Sequence, residues 1–124
     1  DFTYIEDIID GLLKVLENPP QKDNQWCADK PNPATSYAPY RLYNIGNNHP
    51  IDLMDFVRAI EKATRKVAKI NFMPMQNGDV VATHADISHL EKDFCYTPKT
   101  SIQEGIEKFV EWYRDYYVGA GGET

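Results

Sequence analysis

The sequence predicts an α/β fold. Three stretches repeat apolar residues at helical spacing. Short aromatic and β-branched runs alternate with them and read as strands. The length, 124 residues, suits one unit, since domains commonly run to roughly 100–150 residues. In chain order the elements read β, α, loop, β, α, β, α, α, an alternation typical of α/β proteins.

The opening run Asp1 to Ile5 is strand-like. The first helix spans about Ile5 to Glu17, with Ile5, Ile8, Ile9, Leu12 and Leu16 on one apolar face. Asn18-Pro19-Pro20 ends it, because proline lacks an N–H and restricts the residue before it. The stretch from Asn18 to Pro39 is too long for an ordinary connection, and Trp26 and Tyr37 are expected to pin it. Tyr40 to Ile45 reads as a strand closed by Gly46-Asn47-Asn48. The second helix spans about Leu53 to Lys66. Asp52 is its N-cap, Asp55 sits at the capping-box position, and Ile51 faces Phe56 as a staple. Leu53, Met54, Val57, Ile60 and Ala63 should face inward. Lys69 to Met73 is a second short strand. Pro74 to Val81 is a loop centred on Asn77-Gly78-Asp79. A short helix from about Ile87 to Asp93 follows, capped by Asp86. Ser101-x-x-Glu104 is a capping box opening the last helix, whose stripe is Ile102, Ile106, Phe109, Val110 and Tyr113. Gly119 to Thr124 reads as a flexible tail.

Charge narrows the function. Thirteen Lys and Arg stand against nineteen Asp and Glu, a formal net charge of −6. Such a surface repels phosphate backbones, so general nucleic-acid binding is not expected. No apolar run approaches the ~18 residues of a membrane helix, and no secretory signal is evident. Cys27 and Cys95 are too few for a disulfide scaffold and read as reduced thiols, Cys95 packed between Phe94 and Tyr96. A cytoplasmic location is the expectation.

Several chemistries fail on spacing. His49, His84, His89, Cys27 and Cys95 match no zinc pattern. Neither cysteine has an evident activating base, and no G-x-S-x-G elbow occurs. A dinucleotide loop needs G-x-G-x-x-G, whereas Gly46 is the only glycine after a strand. Tyr-x-x-x-Lys is absent too; Tyr37-x-x-x-Arg41 comes nearest. The aromatic set Phe109, Trp112, Tyr113, Tyr116 and Tyr117 reads as core and rim. In Pro74 to Val80, Gly78 allows a tight turn. Asp79 there fits two readings: an acceptor for a ribose diol, or a plain turn residue.

An ordered set of segments resembles the extended short-chain dehydrogenase/reductases of the nucleotide-sugar epimerase group. It comprises Asp1-Phe2-Thr3-Tyr4-Ile5-Glu6-Asp7-Ile8, then Tyr40 to Asn47, Pro74 to Val80, Ala85-Asp86-Ile87-Ser88, and Tyr96 to Ile106. Asn44-Ile45-Gly46-Asn47-Asn48 with Leu53-Met54-Asp55-Phe56 is most similar to UDP-glucuronate 4-epimerases. The resemblance implies a Rossmann-type parent with NAD as cofactor and a UDP-sugar as substrate. Such enzymes oxidise C4 of the sugar, rotate the keto intermediate and return the hydride. The family's Gly-rich NAD loop and Tyr/Lys pair lie N-terminal to the segments matched here. The chain is therefore expected to be a C-terminal, substrate-binding fragment, inactive alone, with no catalytic, cofactor-binding or metal residue of its own.

Residue by residue, the resemblance gives Asp79 to the uridine ribose. Gln76 takes a diphosphate position that is arginine in UDP-galactose epimerases, and Gly78 lies between them in the same loop. The family arginine that usually precedes the position of Asp1 is not in the sequence. Asn77, Val81 and His84 also depart from the family pattern. Related alternatives are a nucleotide-sugar dehydratase, a decarboxylase or a galactose-type epimerase. A non-catalytic interaction module is the alternative of another class. In the family the strand Tyr40 to Ile45 and the helix from Ile5 adjoin the nucleotide-binding half; without it their apolar faces lack cover, and self-association, or a strand edge paired with a neighbouring chain, is expected.

Overall fold

The computed structural model describes residues 1–119, so the expected tail lies outside the described residues except for Gly119. Four helices form: α1 (Ile5–Glu17), α2 (Leu53–Thr64), α3 (Ser88–Phe94) and α4 (Ile102–Tyr113), which runs on into a π-helical turn, Arg114–Val118. Helices α2 and α4 begin on side-chain caps. Asp52 accepts from the Met54 N–H at 2.8 Å, and Ser101 from the Glu104 N–H at 3.2 Å. The reciprocal arms of both boxes go elsewhere. Asp55 pairs with Arg58, and Glu104 with Lys108, each one turn on. Helix α3 starts one residue later than expected, with Asp86 accepting from the Ser88 N–H at 2.9 Å.

The strands are a correction. Among the described residues the only β pairing is an isolated antiparallel bridge between Thr35 and Arg41. Tyr40 to Ile45 and Lys69 to Met73 are irregular, so the α/β expectation holds only in part. A strand exists through its neighbour's N–H and C=O groups, and these runs lack one along their length. The Asn18 to Pro39 excursion is pinned as expected. Trp26 packs on Tyr37 at 5.5 Å between ring centroids, and Asp23 accepts from the Thr35 hydroxyl at 2.9 Å.

Two small clusters form the core. Ala59, Ile106 and Val110 join α2 to α4, with Phe56, Ala63 and Ile102 packed around them. Ile87, Leu90 and Tyr96 form the second, flanked by Val15, Tyr43, Ile45 and Phe94. Leu53 is exposed rather than inward, and Phe56 stacks on Phe2 at 4.1 Å. Cys95 is exposed, not packed, and takes the left-handed conformation that ends α3. Phe109, Trp112, Tyr113, Tyr116 and Tyr117 are all exposed and stack on one another as a rim.

Helix α1 leaves its apolar stripe uncovered, as the resemblance implies for a face that adjoins the nucleotide-binding half. Ile5, Ile9, Leu12, Leu13 and Leu16 are exposed, while Asp7 and Gly11 are buried. Gly11 lets the helix approach closely, since a Cβ there would lie 3.0 Å from the Tyr96 ring. Asp7 then reaches the segment before α4. Its two oxygens accept from the backbone N–H groups of Lys99, at 3.2 Å, and Thr100, at 3.0 Å. Charge-assisted bonds of this kind contribute about 1.5–3 kcal/mol each. Tyr96 is wholly buried, and its hydroxyl has no partner among the described residues. Burial, then the charges of Asp7 and Asp10, push its ionisation upward.

Two stability outcomes follow from this packing. Asp7→Asn keeps the shape but turns an NH₂ toward one of the two N–H groups, and should cost about 2 kcal/mol in urea unfolding. Tyr96→Phe removes an unsatisfied buried hydroxyl, so stability should stay level or rise by up to about 1 kcal/mol in the same measurement.

Candidate functional site

Residues 69–82 form an arch. The last strong anchor before it is the Ala68 N–H, which donates to the Glu61 carboxylate on α2 at 2.7 Å. Within it, the Asp79 N–H donates to the Gln76 carbonyl at 3.2 Å, closing a turn over Asn77 and Gly78. Gly78 has φ +95°, a conformation that glycine adopts without strain. The structure thus brings Gln76, Gly78 and Asp79 into one turn, all exposed to solvent. The Asp79 carboxylate makes no hydrogen bond to another described residue, which leaves both oxygens available to donors such as a pair of hydroxyls. The turn itself is closed by backbone, so Asp79 is not needed as an Asx-type brace.

The arch ends at a node that sequence reasoning missed. One Asp1 carboxylate oxygen accepts from the Asn47 N–H at 2.9 Å, the other from the Ala85 N–H at 2.8 Å. The backbone nitrogen of Asp1 donates to the Thr83 carbonyl and hydroxyl. Beside it, a His84 ring nitrogen meets the Asn48 side-chain oxygen at 2.8 Å. A Cβ on Gly46 would collide with that of Ala85 and crowd the Asp1 carboxylate. The sequence offered only one signal here, the turn residues Gly46-Asn47-Asn48.

Two concavities lie away from the turn. One, of about 700 Å³, is mainly apolar and opens between Phe2, Tyr4, Phe56, Ile60, Phe109 and Tyr113. The other, of about 740 Å³, is touched by the charged or polar side chains of His49, Arg58, Lys62, Glu91 and Lys99. Among the described residues, no group of three or more His, Cys, Asp or Glu is placed to hold a metal.

A second polar cluster sits on the α3 side. Asp93 accepts from the Tyr43 hydroxyl at 2.8 Å and pairs with Arg41 at 3.2 Å, and the guanidinium lies 5.4 Å from the Tyr43 ring centre. Burial and then the Asp93 hydrogen bond hold Tyr43 above the ordinary tyrosine range. These contacts dock the residues before Ile45 onto α3, where Tyr43 also meets Phe94 edge-on at 5.4 Å.

No family model matches the chain. Single proteins do. It is 45% identical over 117 residues to Protein CapI of Staphylococcus aureus, covering 94% of this chain and 35% of that protein. It is 39% identical over 118 residues to the probable UDP-glucuronate 4-epimerase of Rhizobium meliloti, with the same coverage. It is 42% identical over 118 residues to UDP-glucuronate 4-epimerase 1 of Arabidopsis thaliana, covering 94% of this chain and 26% of that protein.

The chain is homologous to part of the UDP-glucuronate 4-epimerases. The chain spans about a third of the length of the bacterial relatives and about a quarter of the Arabidopsis protein.

The α3 cluster can be tested directly. With Asp93→Asn, the Tyr43 titration should move down toward the ordinary tyrosine value of about 10, yet remain above it because burial persists. A pH titration of the Tyr43 ring carbons by NMR checks this.

Proposed function

We propose that residues 1–124 are the UDP-sugar-binding portion of an NAD-dependent nucleotide-sugar epimerase of the extended short-chain dehydrogenase/reductase type, acting on UDP-glucuronate. The observation that carries this reading is the 39–45% identity across 94% of the chain to CapI and a protein named as a UDP-glucuronate 4-epimerase. The turn supports it chemically. Asp79 offers two acceptor oxygens to a ribose diol, and the Gln76 amide can donate to a phosphate oxygen. Gln76 is a neutral donor, weaker toward phosphate than a bidentate arginine. That favours the glucuronate branch over a galactose-type epimerase.

NAD does not fit the described residues. A pyrophosphate site needs free backbone N–H groups after a glycine turn. Gly46 is walled in by Ala85 and Asp1, and the following Asn47 N–H is already taken by the Asp1 carboxylate, a charge that repels phosphate. No hydride or proton step is therefore assigned to this chain. Its own residues bind and orient.

The outward face of α1 belongs to the same reading. Ile5, Ile9, Leu12, Leu13 and Leu16 make an apolar stripe that the described elements leave uncovered. In the whole enzyme it would pack on the nucleotide-binding half. In the isolated chain it drives self-association.

Two outcomes test the proposal. UDP titrated into labelled protein should bind weakly, on the order of millimolar, or roughly −4 kcal/mol. Shifts should centre on Gln76, Gly78 and Asp79 and vanish in Asp79→Ala; shifts centred on Cys27 or α4 would refute the placement. In sedimentation velocity the chain should associate with rising concentration, and Leu12→Glu with Leu16→Glu should return it to monomer. A wild-type chain that stays monomeric throughout would remove the support drawn from α1.

A further inference from the structure

We infer that Asp1 is a positioning residue for the turn that carries Gln76, Gly78 and Asp79. The inference rests on the assignment of that turn to the nucleotide. Residues 69–82 are exposed throughout, and their internal bond is the Asp79 N–H to the Gln76 carbonyl. An arch of this kind is located by its feet. One foot is the Ala68 N–H on Glu61. The other is the Asp1 node.

That node has a specific geometry. The two carboxylate oxygens serve different segments, Asn47 on the turn before α2 and Ala85 on the run into α3. Only a carboxylate does this with so short a side chain. An asparagine of the same shape has one acceptor oxygen and would turn an NH₂ toward the second N–H. The wall at Gly46 and Ala85 leaves little room for the group to shift. The second foot is therefore fixed in place by charge and by packing, and Asp79 lies six residues before Ala85 in the chain. Losing the node would let the turn swing on its remaining foot. Asp79 and Gln76 would then visit the ligand-competent position for a smaller fraction of the time, and apparent affinity falls by that fraction.

The experiment compares the labelled full chain with Asp1→Asn and Asp1→Ala. In both variants, amide exchange at Asn47 and Ala85 should quicken about tenfold or more, as the loss of a charge-assisted hydrogen bond implies. Residual dipolar couplings of Asn77, Gly78 and Asp79 should shrink toward zero. The UDP dissociation constant should rise several-fold, while the Ile106 and Val110 amides of α4 keep their protection. A mere packing role predicts that Asp1→Asn matches the wild type, and that result overturns the inference. So do unchanged couplings despite faster exchange, an unchanged UDP constant, or a general loss of protection in both variants, which would make Asp1 a determinant of the fold at large. If the wild type shows no UDP shifts, the nucleotide reading fails by itself, and the couplings still decide whether Asp1 positions the turn.

Discussion

The buried carboxylate of Asp7 is the constraint on which the architecture depends. The apolar core is small and split in two, one cluster between α2 and α4 and another around α3 and Tyr96. Neither cluster alone reaches the other. Asp7 crosses the gap, because it stands on the helix packed against Tyr96 while both its oxygens hold the backbone that leads into α4. Gly11 makes this possible by letting α1 lie close to Tyr96. Without that approach the carboxylate would fall short, and the orphaned Lys99 and Thr100 N–H groups would have to find water.

Polar fasteners of this kind suit a chain with limited apolar burial. Hydrophobic contact is non-directional and scales with the area removed from water. A carboxylate accepting two N–H groups gains less in total but fixes geometry. Asp1 does for the loop system what Asp7 does for the helices. The outcome is a body whose internal register is set by two acids, with much apolar surface still facing outward on α1, around the 700 Å³ concavity and along the aromatic rim of α4.

What the sequence disclosed follows the range of the forces involved. Helix boundaries were legible because caps and prolines act within a turn: Ile5–Glu17 and the Ser101 start of α4 stand where Asn18-Pro19-Pro20 and Ser101-x-x-Glu104 put them. The runs Tyr40 to Ile45 and Lys69 to Met73 carry strand composition, but pairing depends on a partner that composition does not supply. The uncovered stripe of α1 was legible only through the family resemblance. Periodicity shows which face is apolar, not which face meets the described elements, and here it is Asp7 and Gly11 that are buried. In the candidate site, Asn77-Gly78-Asp79 announced a turn through its own backbone needs. The Asp1 node was illegible, because its partners lie 46 and 84 residues away along the chain.

The distance spanned by these fasteners also shapes how the protein is made. Asp7 finds its partners 92 and 93 residues later, and Gly11 meets Leu90 and Tyr96 across a similar span. A ribosome adding about 5–20 residues per second needs roughly 5–20 s to deliver that stretch. Throughout that interval the Asp7 and Gly11 face of α1 has no downstream partner to dock on. Translation order, and not stability alone, thus sets when the buried face of α1 is first satisfied.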